Sequence, residues 1–296
     1  MRALRIHGYG GPEVMRIEEV EKPLEKKDYF LLKIRAASVN PVDWKMRNGV
    51  MAKIFPLTFP RILGRDCAGE TADGTLVAGV SDPRIDGTHA EYALLDEKNL
   101  TQVPEGLSAP EAASLCVAGL SAYIPLVEVM SLQKGQNILI HAGAGGVGSL
   151  AIQIARHLGA EVTATASESN KDFCFTLGAA KVIDYQKESP QSNAFDAVLD
   201  TIGGGTHIRS MDYLKPGGVL VALSAAPVPP VQPREAIRVV MAQIQPSAER
   251  LAKIFQWARD GVLRPQVTRT FPLDEAAAAY AVSESGHGRG KTVILP

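Results

Sequence analysis

Cysteine is scarce in this chain of 296 residues. There are three, Cys67, Cys116 and Cys174, with no Cys-x-x-Cys pair and no clustering with the six histidines. Such spacing suggests neither a disulfide framework nor a structural zinc site. Neither sign of charge is in excess. Lys and Arg number 31 and Asp and Glu 32, a net charge of −1, so there is no electrostatic case for nucleic acid or an anionic membrane as the main partner. No apolar run is read as reaching the about 18 residues of a membrane-spanning helix. The opening MRALRIHGYG lacks the apolar core of a signal peptide, and a cytoplasmic setting is expected. Internal repeats and low-complexity tracts are also missing. What remains is an ordinary globular composition, 46% hydrophobic and 21% charged, in a chain long enough for two domains.

The organisation changes along the chain. Up to about residue 107, short strands alternate with Gly- and Pro-containing turns, at Met1–His7, Tyr29–Ala37, Gly64–Ala72, Leu76–Val80 and His89–Leu95, which predicts a β-rich domain. Ser108 to Glu111 reads as a capping box before an apolar helix that continues to about Val127. From Asn137 to Leu223 strands and helices alternate, the pattern of a parallel sheet with helices on both faces. Ala226–Pro233 is Pro-rich and reads as a loop, and Ile237–Ile244 as an outer strand. Two helices, Ala248–Asp260 and Asp274–Ser285, and a strand at Thr292–Leu295 close the chain. These last elements are expected to fold back onto the first domain.

The strongest local signal is Gly143-Ala144-Gly145-Gly146-Val147-Gly148. It has the G-x-G-x-x-G spacing, follows a predicted strand and opens a predicted helix, as a dinucleotide-binding turn requires. Gly143 is expected to permit the tight turn, Gly145 to leave room for a diphosphate, and Gly148 to let helix and strand pack closely. The exposed amides of the helix start then face negative charge. NAD-selective sites place Asp or Glu at the end of the second strand. Here that strand ends at Ser167, with Lys171 opening the next helix and Tyr185 ending the third strand. A hydroxyl, an ammonium and a phenol suit a 2′-phosphate, so NADPH is the expected cofactor. Glu168 adds an unfavourable charge beside them.

The segments SVNPVDWKMRNG (38–49), ILGRDCAGE (62–70), GTHAEYALL (87–95), VAGLSAY (117–123), HAGAGGVGSLAIQIARHLGA (141–160), FDAVLDTIGG (195–204), LKPGGVLV (214–221) and SGHGRGK (285–291) resemble the medium-chain dehydrogenase/reductase superfamily. Within it the chain is most similar to the zinc-independent quinone oxidoreductase branch, with zeta-crystallin-like proteins and plant ene-carbonyl reductases. The resemblance implies an α/β fold of two parts: a GroES-like β-rich substrate domain, residues 1–115 completed by 246–296, and a Rossmann domain with a doubly wound parallel sheet, residues 116–245. The active site is expected in the cleft between them.

Zinc-dependent relatives carry a Cys where this chain has Asn40, and a His–Glu pair where it has Arg65 and Asp66. Cys116 falls near the remaining ligand position. Arginine is no substitute for imidazole, so no metal is expected. The expected activity is then transfer of reducing equivalents from NADPH to an acceptor that is already electrophilic, a quinone or an α,β-unsaturated carbonyl. Asn40 reads two ways, as a contact to nicotinamide, ribose or substrate, and as a turn former before Pro41. Asp43 is expected to pair with Arg47 at i,i+4, and Lys45 is the candidate donor to a developing enolate or quinol oxygen. By resemblance, further cofactor contacts are Val117 and Ser121, Thr201 after the fourth strand of the sheet, Leu223, Ser224 and Ala225 after the fifth, and Gly290 with Lys291. His141 is read as a packing residue. The resemblance also implies a homodimer. The reading from another class is a weakly catalytic NADPH-binding sensor, scaffold or RNA-associated protein.

Overall fold

The computed structural model describes residues 1–223 and 236–296. The expected Pro-rich loop, and Ser224 and Ala225 with it, lie outside the described residues. The chain divides into two compact units, Met1–Leu120 with Gln245–Pro296, and Ser121–Ile244.

The first unit begins with β1 (Arg2–Ile6) and β2 (Met15–Glu19), then the long β3 (Tyr29–Val39). β2 escaped the sequence reading. After β3 comes a short helix, α1 (Pro41–Arg47), where the sequence reading had only a turn. Asn40 is extended, Pro41 opens the helix, and the Asp43 carboxylate accepts the Asn40 N–H at 2.7 Å. Proline at N1 with an acid at N3 is a helix-start signal. The unit continues through β4 (Arg61–Ile62), β5 (Asp66–Glu70), β6 (Leu76–Val80), β7 (Tyr92–Asp96) and β8 (Leu100–Gln102). Helix α2 (Ala109–Tyr123) follows, with the Ser108 N–H donating to the Glu111 carboxylate, the backbone half of a capping box, and the Ser108 hydroxyl donating to the same carboxylate.

A π-helical stretch, Ile124–Val129, extends α2. Together they run 21 residues and are apolar enough to cross a membrane by length and composition. This corrects the reading that no such run exists. Its most apolar window is 72% buried within the protein, which marks a core helix.

The second unit is built on β9 (Asn137–Ile140), β10 (Glu161–Ala166), β11 (Lys181–Asp184), β12 (Phe195–Asp200), β13 (Leu214–Ala222) and β14 (Arg238–Met241), with α3 (Gly146–His157), α4 (Lys171–Leu177) and α5 (Gly204–Tyr213). The strand order is β11-β10-β9-β12-β13-β14, all pairs parallel. This is the doubly wound order. Its core on one face joins Leu139, Val198 and Leu220 to Met211 and Tyr213 of α5. The order reverses between β9 and β12, and such a switch point is where ligands bind in open α/β sheets. A 3-10 turn, Glu168–Asn170, precedes α4, and the Ser167 hydroxyl accepts from the Asn170 side chain at 3.0 Å.

The chain returns to the first unit with α6 (Ala248–Arg259), β15 (Val267–Pro272), α7 (Ala276–Glu284) and β16 (Lys291–Leu295). β15 was not foreseen. It pairs in parallel with β16, and β16 pairs antiparallel with the end of β3, so the sheet reads β15-β16-β3-β5-β6-β8 with β7 on the first half of β3. Its buried side chains include Leu32, Ile34, Cys67, Val77, Leu95 and Leu100.

Candidate functional site

The glycine turn lies at the switch point, between the end of β9 and the start of α3. Each glycine has its own reason. The left-handed residue of the turn is Ala142, at φ 51°, and not Gly143. A Cβ on Gly143 would lie 2.7 Å from the Ala164 Cβ and 3.1 Å from Ile152, so glycine there lets the turn lie against β10 and α3. At Gly148 a Cβ would overlap the Ala142 carbonyl oxygen and stand 2.8 Å from Gly143 Cα. That contact seats the helix on the turn. Gly145 differs. It is the N-cap, extended at φ −73°, and a Cβ there would meet only Ala142 O, at 3.3 Å. The fold opposes a side chain at 145 through that one tight backbone contact alone, far less than at 143 or 148. The cradle therefore fits a nucleotide diphosphate: first-turn amides of a helix lack intrahelical acceptors, and the lining residue over them has no side chain.

Ser167 and Tyr185 follow the adjacent parallel strands β10 and β11, and Lys171 opens the helix after Ser167. Ala166 and Asp184 are partners in register, and the Tyr185 N–H donates to Ala166 O at 3.3 Å. Tyr185 is 52% exposed. The Lys171 ammonium lies 3.3 Å from the Glu168 carboxylate. Glu168 is not the isolated opposing charge expected. Lys187 also binds it, at 2.8 Å, and the two lysines hold its carboxyl below the usual range. Lys187 was missed. Its ammonium also stands 3.5 Å from the buried Asp184, at i,i+3.

In the first unit a buried polar cluster gathers at the β3–α1 junction. Asn40 Nδ2 donates to Asp66 at 3.0 Å, and Asn40 Oδ1 accepts from the Lys291 ammonium at 2.6 Å. Lys291 also donates to Val39 O at 2.8 Å. Asp66 further accepts from the Ser38 hydroxyl at 2.7 Å and the Val117 N–H at 2.9 Å. Burial raises the Asp66 carboxyl and lowers the Lys291 ammonium, each opposed by the other's charge. Burial, with repulsion from Asp66, pushes Asp43 up to about 7, and its Oδ1 has no hydrogen-bond partner among the described residues. The expected Asp43–Arg47 pair does not form. Asp43 caps α1, and Arg47 reaches Glu284 of α7 at 2.9 Å. His89 accepts from Tyr280 and donates to Ser38 O, and burial holds its imidazole near 4.

The alcohol dehydrogenase GroES-like domain model matches residues 26–105. The zinc-binding dehydrogenase model matches residues 177–294. The chloroplast envelope quinone oxidoreductase homolog of Arabidopsis thaliana is 32% identical over all of this chain and 98% of its own. The chain belongs to the quinone oxidoreductase, zeta-crystallin-like, branch of the medium-chain dehydrogenase/reductase superfamily. A second member of this family from Arabidopsis thaliana, an NADPH-dependent alkenal/one oxidoreductase, is 34% identical over all of the chain and 80% of its own. A mycobacterial structure complexed with NADPH superposes with a TM-score of 0.90 at 26% identity, covering 100% of both chains.

In this family member the site residues expected from sequence divide into groups. Gly143 to Gly148 form one turn, while Ser167 and Tyr185 follow adjacent parallel strands and Lys171 opens the helix after Ser167. Asn40 and Lys291 are also brought together, but inward, 2% and 6% exposed and bonded to each other. Here the two side chains form a buried lock at the start of α1. Gly290, at φ 59°, lets the chain enter β16 against Gln266. The Val117 N–H is taken by Asp66, and Thr201 Oγ1 by the His141 carbonyl at 3.0 Å. Ser121 is buried in α2, and Leu223 follows β13, its N–H on Asp200 O at 2.8 Å. Lys45 is partly buried with its ammonium 5.3 Å from the Trp44 ring centre, and burial lowers it. A zinc ion does not fit the donors at Asn40, Asp66 and Cys116. Asn40 is bonded to the Lys291 ammonium and to Asp66, Asp66 also accepts from Ser38 and Val117, and the Cys116 thiol donates to Ala112 O while burial raises it.

Proposed function

We propose that this chain is an NADPH-dependent oxidoreductase that passes reducing equivalents, without zinc, to a quinone or an activated alkene. The observation that carries the reading is the combination at the β9–β11 edge: a glycine at the helix start that the fold constrains through one backbone contact alone, with Ser167, Lys171 and Tyr185 at the following strand ends and helix start, where an NAD-selective enzyme keeps a carboxylate. The names of the relatives support it, one a quinone oxidoreductase homolog and another an NADPH-dependent alkenal/one oxidoreductase. NADPH, when bound, supplies the hydride. The chain's own groups bind and orient. Amides of the first turn of α3 hold the diphosphate, and Ser167, Lys171 and Tyr185 hold the 2′-phosphate. Lys45, with no carboxylate partner among the described residues, is the candidate donor of the proton that follows. An acceptor with its own electron-withdrawing carbonyl needs mainly proximity and exclusion of water.

The test is turnover of NADPH with a panel of quinones and enones. Failure with every acceptor, in protein saturated with NADPH, refutes the reading. Two finer points belong to it. The three buried cysteines, none of them in a disulfide, suit a reducing compartment such as the cytoplasm. β14 ends the sheet order, and we infer that its outer edge pairs with a second copy in a homodimer. A sedimentation experiment giving a monomer removes that inference.

A further inference from the structure

Thr165, His141 and Ser210 have had no part in the reading so far, yet all three are buried at the root of the glycine turn. The direction of every hydrogen bond among them follows from Ser210. Its hydroxyl donates to Thr206 O at 2.7 Å, so toward His141 Nε2, 3.0 Å away, it accepts. That fixes the Nε2–H tautomer. Nδ1 is then a bare lone pair and accepts from the Thr165 hydroxyl at 3.2 Å. Thr165 Oγ1 in turn accepts the Ala142 N–H at 3.2 Å, and Thr165 O accepts the Gly143 N–H at 2.8 Å. One directed chain runs from the Ala142 amide through β10 and the end of β9 into α5. Each of the three side chains in it donates once and accepts at least once.

The chain ends where the backbone most needs holding. Ala142 has a positive φ, a conformation that costs an L-residue about 1–2 kcal/mol and persists where its surroundings over-determine it. We propose that Thr165, His141 and Ser210 are positioning residues for the nucleotide diphosphate, acting through Ala142 and Gly143 to hold the turn in its binding shape. This rests on the NADPH reading above. The imidazole is a neutral relay here, since burial holds it near 4.

The experiment titrates the full chain, as wild type, Thr165→Val, Thr165→Ser and Ser210→Ala, with NADPH and separately with adenosine 2′-monophosphate, by calorimetry. The second ligand has the ribose phosphate but no diphosphate. Thr165→Val and Ser210→Ala should weaken NADPH about tenfold, the size of one neutral hydrogen bond. Thr165→Ser should restore it, and the monophosphate should bind all four alike. NADPH affinity in Thr165→Val and Ser210→Ala equal to wild type overturns the proposal, as does an equal loss of both ligands, which marks general loosening. Ser210→Ala removes a single hydroxyl and carries the test where Thr165→Val does not fold. A wild type that binds no NADPH overturns the functional reading, and this proposal with it. A wild type that binds, with variants unaffected, overturns this proposal alone.

Discussion

Replacing Gly145 with alanine separates what the turn does for the fold from what it does for a ligand. The residue is extended at φ −73°, ψ 175°, and an added methyl meets only Ala142 O at 3.3 Å. Alanine at an N-cap costs roughly 0.5–1 kcal/mol against glycine, and the stiffer unfolded chain returns about 0.4–1 kcal/mol. The two nearly cancel and the tight contact with Ala142 O adds a small cost, so Tm should fall by no more than a few °C, about 1 kcal/mol in a chain of this size. Binding should not be spared. A methyl over the first-turn amides holds a diphosphate away from them, and hydrogen bonds to a charged group are worth about 1.5–3 kcal/mol, which is roughly 10- to 100-fold in Kd. Gly148→Ala is the contrast. Its methyl overlaps the Ala142 carbonyl and lies 2.8 Å from Gly143 Cα, so it should cost about 1–3 kcal/mol of stability as an overpacked contact. The assay is NADPH fluorescence titration beside thermal unfolding. Wild-type NADPH affinity in a folded Gly145→Ala protein refutes the assignment of the turn to the nucleotide.

Three further outcomes follow from the same geometry. Ser167→Asp puts a carboxylate beside Lys171 and Tyr185 and should weaken NADPH about tenfold while sparing NADH; unchanged NADPH affinity in a titration removes the cofactor preference. Lys291→Met takes the ammonium from Asn40 Oδ1 and Val39 O and its charge from the neighbourhood of buried Asp66, and should cost about 1–3 kcal/mol. A double variant with Asp66→Asn should recover part of that loss, and urea melts showing simple additivity contradict the pairing. Asp43→Asn tests the raised carboxyl, whose native value of about 7 lies above its ordinary 3.8. Such a group binds its proton more tightly when folded. Wild type should therefore lose roughly 2–4 kcal/mol from this residue as pH rises from 4 to 7, and the variant should gain on wild type over that window. Urea melts at pH 5 and 8 that differ between the two proteins by a constant amount rule the shift out.

The parts that were legible in the sequence are those whose cause is local. The glycine turn announces itself because contacts among residues a few positions apart, Ala142 O with Gly148 and Gly143 with Ile152, forbid a side chain. The strand–helix alternation from Asn137 onward is likewise written in short-range periodicity. α1 was locally encoded too, by Asn40, Pro41 and Asp43, but seven residues after an Asn-Pro read more readily as a turn. The remaining differences have distant causes. β15 is mostly exposed and exists because β16 offers it an edge. Lys291 meets Asn40 across 251 residues because β16 pairs with the end of β3, and no pattern around either residue states that register. The positive φ of Ala142 shows the limit most sharply. Alanine has no preference for that conformation, so its sequence neighbourhood gives no sign of it. The Thr165 hydroxyl and carbonyl that hold Ala142 and Gly143 arrive on a separate strand. His141, a packing residue when seen beside its neighbours in sequence, becomes the centre of a hydrogen-bond chain only when β10 and α5 are folded around it.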